Sequence, residues 1–242
     1  DDRPCGLLVH RILDIMDADL ADTTPGSREG VKSCAVIDGR VNEIIDLAGQ
    51  KLQLSSSVAL TMQRPGKLHV ARHRPFAESQ LFFDGETLTL SVTEPAVYAQ
   101  IQAPGDIDKA IAAIRSEVGL DVPAGDLLYA DPYSGLLTDV ISGTYNGTAF
   151  VQGIECHHLA FRAAKVDWQI WIQAGETPLP MKYVITSKWV AGAPAYSVRF
   201  RNWTSDPKID AERFLFTAPE GATRIDQIPV NEMGELTLKE DQ

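Results

Sequence analysis

Cys156, His157 and His158 stand side by side, and a thiol beside two imidazoles is the grouping in this chain that comes nearest to nucleophilic or metal chemistry. The segment reads as a β-strand, in which successive side chains point to opposite faces. His157 and His158 therefore cannot share one metal ion. Cys156 and His158 do share a face, but the sequence indicates neither an orienting carboxylate nor a third ligand. Ser55, Ser56 and Ser57 fall inside a strand pattern rather than at a strand-to-helix elbow, and G-x-S-x-G is absent, which argues against a serine hydrolase. Asp126, Asp131 and Asp139 are spaced too irregularly for a calcium loop and read as caps. Phosphate-cradling glycine loops are missing as well. No catalytic site and no metal site is legible in these residues.

What the chain offers instead is a one-sided apolar stripe. Leu52, Leu54, Ser56, Val58, Leu60 and Met62 alternate with Gln53, Ser55, Ser57, Ala59, Thr61 and Gln63, the period-two signature of a half-buried strand. The same one-sidedness recurs at Leu68 and Val70, Leu88 and Leu90, Leu159 and Phe161, and Trp168, Ile170 and Ile172. It continues through Met181, Tyr183 and Ile185, then Tyr196, Val198 and Phe200. Arg64-Pro65-Gly66, Asp84-Gly85, Glu94-Pro95 and Gln152-Gly153 supply the turns between strands.

Between the two strand runs lies a helical insertion. Asp106 caps a predicted helix with Ile107, Ile111 and Ile114 on one side, and Pro123 to Leu137 reads as short helical pieces broken by Pro132 and Gly135. Leu127, Leu128, Tyr129, Leu136 and Leu137 give these pieces an apolar side fit to pack on a sheet. Strands, then helices, then strands, without alternation, predict an α+β fold. Its sheet is large, antiparallel and curled, because strand twist accumulates. The expected organisation is one domain over 1–242. It comprises an N-terminal helix and loop (1–30), a first strand run (31–103), the helical lid (104–140), a second strand run (141–219) and a C-terminal tail (220–242).

With 33 acidic against 22 basic residues the net charge is −11, which repels nucleic acid and anionic lipid surfaces unless a basic patch reverses the field. The densest cationic stretch, His69, Arg72, His73 and Arg74, lacks interleaved aromatics and reads as a solvated strand end. No apolar run is long enough for a transmembrane helix. The start at Asp1 fits a mature exported chain and equally a trimmed one, and Asp-Arg-Pro before Cys5 does not match a lipoprotein cleavage site. Cys5, Cys34 and Cys156 form no CxxC pair, and their redox state is left open, with room for one bridge.

Several stretches resemble an uncharacterised bacterial family labelled predicted periplasmic protein. They are Gln50-Lys51-Leu52-Gln53-Leu54-Ser55-Ser56-Ser57-Val58, Gln63-Arg64-Pro65, Phe83-Asp84-Gly85, Asp126-Leu127-Leu128-Tyr129-Ala130-Asp131-Pro132-Tyr133, Cys156-His157-His158-Leu159-Ala160-Phe161 and Asp167-Trp168-Gln169-Ile170-Trp171-Ile172. The likeness runs from about Val31 to Pro219, and the segment before it is atypical. That family is similar in turn to the outer-membrane lipoprotein carrier and receptor superfamily. The resemblance implies a periplasmic non-enzyme whose incomplete β-barrel has helices over its concave face, with a lipid, acyl chain or lipoprotein as its partner and with no cofactor and no covalent chemistry.

On that reading the lining comprises Leu54, Val58, Leu60, Met62, Leu88, Leu90, Leu159, Phe161, Trp168, Ile170, Ile172, Met181, Tyr183, Ile185, Tyr196, Val198 and Phe200. The lid comprises Ile107, Ile111, Ile114, Leu127, Leu128, Tyr129, Leu136 and Leu137. Two alternatives stay open: an envelope scaffold that binds a protein through the open sheet, and an enzyme whose site only the fold assembles.

Overall fold

The computed structural model describes residues 34–47, 50–74 and 77–226; the expected helix at 7–20, Cys5 and the chain after 226 lie outside them. Twelve strands, beginning with β1 (Cys34–Leu47) and β2 (Gln50–Gln63), hydrogen-bond in the order β12-β6-β5-β4-β3-β2-β1-β11-β10-β9-β8-β7. The two-residue β12 (Thr223–Arg224) runs parallel to β6 (Val97–Gln102), while successive strands from β2 to β6 and from β7 to β11 pair antiparallel. The order ends at β12 and β7, so the sheet is open among the described residues. The chain divides into two compact units. Among the described residues the first takes 40–55 and 131–201, and the second takes 34–39, 56–130 and 202–226.

In the second unit β3 (Lys67–Arg74), β4 (Ala77–Phe83), β5 (Thr87–Val92) and β6 form a meander at the turns expected from sequence. Asp84 shapes its turn by accepting from the backbone N–H of Glu86 (2.9 Å) and Thr87 (2.8 Å). Register aligns Leu68, Phe83, Leu88 and Ile101 in one cross-strand row, and Val70, Leu81, Leu90 and Ala99 in the next row on the same face.

The insertion begins with α1 (Ile107–Ala113), capped by Asp106, which accepts from the Lys109 N–H at 2.9 Å. A π-helical turn, Ile114–Val118, continues it until Gly119 turns left-handed at φ 72°. Ile107, Ile111 and Ile114 are all buried, as the 3.6-residue period requires of one helix face. The base of the helix is fastened to two hairpin turns: Ile107 donates to Pro65 O and Gly105 to Gly85 O, each at 2.9 Å. A Cβ on Gly66 would stand 2.5 Å from Gly105 O, so only glycine permits this approach. Arg64 donates to the carbonyls of Leu128 (3.0 Å) and Tyr129 (2.9 Å), tying the later part of the insertion to the same corner.

In the first unit β7 (Val140–Val151), β8 (Ile154–Ala163), β9 (Val166–Gln173) and β10 (Pro180–Ser187) form a second meander, with β11 (Ala195–Ser205) beside β10. Gln152 (φ 53°) and Gly153 (φ 81°) make the two-residue β7–β8 turn with the left-handed pair that matches strand twist. Pro132 does not break a helix here. It opens α2 (Pro132–Leu137), where a missing N–H costs nothing, and Asp131 caps it by accepting from Ser134 N (3.2 Å). Gly135 lies inside the same helix.

A candidate ligand pocket

Two of the strands and the π turn border a half-open hollow of about 300 Å³ in the second unit. Its walls are Leu88 and Leu90 from β5, Ala99 and Ile101 from β6, and Val118 from the π turn, with the carboxylates of Glu117 and Asp226 also on the lining. Leu81, Leu120 and Ile225 pack around Leu90 and Ala99. Ala99 stands directly across from Leu90, and both line this hollow. Such a hollow is at the lower end of small-molecule sites in size and, among the described residues, combines an aliphatic surface with the acids Glu117 and Asp226.

Of the lining residues expected from sequence, Leu88 and Leu90 meet in this pocket. Ala99, Ile101, Glu117, Val118 and Asp226 join them without having been singled out. Met62 is also buried in the second unit, and Val58 and Leu60 are partly buried. Leu54, in the first unit, is 49% exposed. Leu159, Phe161, Trp168, Ile170, Ile172, Met181, Tyr183 and Val198 are buried in the first unit, where Ile185, Tyr196 and Phe200 are half-buried. Phe161 stacks on Trp168 (4.0 Å) and Trp168 meets Tyr183 edge-on (5.7 Å). Among the lid residues Leu136 is buried, and Leu127, Leu128, Tyr129 and Leu137 are half-buried.

The reverse face of the second-unit meander carries a buried polar row in which His69 stands beside Phe82 and Phe82 beside Thr89. Phe216 lies across it against Phe82 and Tyr98, and Phe214 is fully buried nearby. His69 Nε2 pairs with Gln80 Oε1 at 3.1 Å. Burial holds its pKa below the ordinary histidine value, opposed by the Gln80 bond and reinforced by Arg213. The imidazole is therefore a packed, neutral group at pH 7.

The Cys156, His157 and His158 grouping is likewise engaged in packing. The Cys156 thiol is buried and donates to Ile154 O, and burial pushes its pKa up, away from the thiolate that a nucleophile needs. His158 pairs with Gln169 (3.0 Å) and stacks flat on Trp171, while His157 pairs with the Tyr145 hydroxyl (2.9 Å). Cys34 and Cys156 are both free thiols. Among the described residues no cluster of His, Cys, Asp or Glu is arranged to hold a metal ion.

The family model described as predicted periplasmic protein (DUF2092) matches residues 30–228, and the chain belongs to that periplasmic family. No curated protein matches it. Among solved structures, LprF from Mycobacterium bovis aligns at 12% identity over 79% of this chain and 91% of its own, with a TM-score of 0.43. The lipoprotein LppX of Mycobacterium tuberculosis aligns at 13% identity over 73% and 88%, TM-score 0.34. A LolA superfamily protein from Nitrosomonas europaea aligns at 8% identity over 78% and 92%, TM-score 0.35.

Proposed function

We propose that this protein is a non-enzymatic periplasmic binding or carrier protein for an apolar ligand, a lipid or acyl chain, held between β5–β6 and the helical insertion. The observation that carries this reading is the aliphatic pocket, whose walls come from both the sheet and the insertion. Each methylene moved from water into such a site contributes about 0.8 kcal/mol, so a short acyl segment offsets the cost of association without polar anchors. In this role Leu88 and Leu90 touch the ligand, and Ile107, Ile111 and Ile114 hold the roof in place. Native mass spectrometry of the purified protein, followed by organic extraction, tests it. A stoichiometric fatty acid or phospholipid is the expected result, and a bare mass that persists after incubation with envelope lipids contradicts it.

A second reading, strand addition by a protein partner, is favoured by β7. This terminal strand carries no charged residue or proline, and Ile141 and Phe150 are 72% and 73% exposed on it. Natural edge strands usually carry such guards against pairing. A photo-crosslinker at Thr144 that yields a defined envelope-protein adduct, lost on Phe150→Lys, is the outcome this reading predicts.

A further inference from the structure

The β10–β11 hairpin reverses the charge of the chain that carries it. From Thr177 to Ser205 there is no aspartate or glutamate, while Lys182, Lys188, Arg199 and Arg201 are all present, in a protein of net charge −11. This is the basic patch that reading charge runs residue by residue does not reveal, because its members are spread over two strands and gather only when the strands pair. Lys182 and Arg199 are direct cross-strand partners, an arrangement in which like charges repel. Lys182 is held over the Trp171 ring at 4.2 Å, and Trp171 stacks on His158 at 4.1 Å, so one row across four strands reads Arg199, Lys182, Trp171, His158. The carboxylate of Asp167, on the same face of β9, is taken by Lys188 at 2.8 Å. At the tip of the hairpin Trp189 is 65% exposed, in the apolar sequence Trp189-Val190-Ala191-Gly192-Ala193-Pro194.

We propose that the β10–β11 hairpin is a docking surface for an anionic lipid bilayer, with Lys182, Arg199 and Arg201 facing phosphates and Trp189 seated at the interface. Two independent features select this occupant. Among the described residues no ion pair joins Lys182, Arg199 or Arg201 to a carboxylate; such cations are attracted to the negative surface potential of anionic lipid, and an exposed tryptophan in an apolar loop favours the headgroup region, where one side of the ring is apolar and the other wet. The basic stretch is local, and the net charge of −11 on the whole chain limits the strength of the contact. The proposal does not depend on what fills the pocket of the second unit.

Vesicle flotation tests it, using the intact protein with vesicles of phosphatidylcholine alone and of equimolar phosphatidylcholine and phosphatidylglycerol. Binding is expected to the anionic vesicles only, and to weaken steeply with salt. The Lys182→Gln/Arg199→Gln variant is expected to bind about 30-fold more weakly, roughly five-fold per cation. Trp189→Ala should lower binding further without changing its salt dependence. A matched variant outside the hairpin, Lys208→Gln/Arg224→Gln, should bind as the parent does, and circular dichroism confirms that each variant folds. Equal binding to both vesicle types, no binding to either, or equal losses in the hairpin and control variants would overturn the proposal. Retention on an acidic protein with none on anionic vesicles would overturn it in favour of a protein partner.

Discussion

The apolar face of β8–β10 in the first unit and that of β5–β6 in the second rest on the same antiparallel ladders and differ in what the rungs carry. In the first, Phe161 opposes Gly143 on β7 and Trp168 on β9, and the ring of Phe161 lies where a Cβ on Gly143 would meet it at 2.8 Å. Phe161, Trp168 and Tyr183 then pack ring against ring, and each is buried. In the second, Leu90 opposes Ala99, and the neighbouring rung pairs Leu88 with Ile101. These four residues, with Val118 of the π turn, line the half-open hollow. Periodicity decides which residues turn inward, and side-chain volume at facing positions decides whether the result is a filled layer or a hollow.

That contrast is broken most severely by Trp168→Ala, which removes the centre of the aromatic layer and is expected to cost about 3–5 kcal/mol. Urea unfolding at constant slope reads this directly. Leu90→Ala, in a wall that already borders open space, should fall near the low end of the leucine range at about 2 kcal/mol. It should also weaken acyl-probe binding, which Trp168→Ala has no reason to do while the second unit stays folded. Gly66→Ala drives a methyl into Gly105 O and should cost about 1–3 kcal/mol, loosening the roof and with it ligand retention.

The smallest effect concerns the reverse face of the second unit. His69 is neutral in the fold with its pKa lowered by burial, whereas in the unfolded chain it titrates near about 6.5. Its share of stability is complete above that value and is lost as pH falls from there toward the folded pKa. His69→Gln should flatten the corresponding acid limb of a melting-temperature profile, while Trp168→Ala should shift the whole profile without flattening it.

Much of this architecture was legible in the residues. The alternation from Leu52 to Met62 is β2 (Gln50–Gln63), Gln152-Gly153 is a two-residue turn as expected, and Asp84-Gly85 falls in the longer connection between the paired Phe83 and Leu88. Leu54 escaped the pattern because β3 pairs with β2 only from Ser57 onward, so the first half of β2 has no such neighbour to bury its leucines. Pro132 was misread because a proline that stops one helix and one that starts the next differ only in the cap before it. The pocket was half legible: Leu88 and Leu90 stood out by alternation. Ala99 is too small to mark a wall, and Glu117 and Val118 sit in a π turn that rotates them off the 3.6-residue period. The hairpin's charge was hidden for a different reason, since cross-strand pairing brings together residues as far apart as Lys182 and Arg199.

The central claim is that the space beside Ala99 is a ligand site, and Ala99→Phe addresses it most directly by filling that space from within. Fluorescence titration of the parent and this variant with an environment-sensitive acyl probe is the measurement. The account predicts saturable one-to-one binding by the parent and at least a ten-fold loss in the variant, with a melting temperature close to the parent's. Undiminished binding by a folded Ala99→Phe protein, or no binding by the parent, would contradict it.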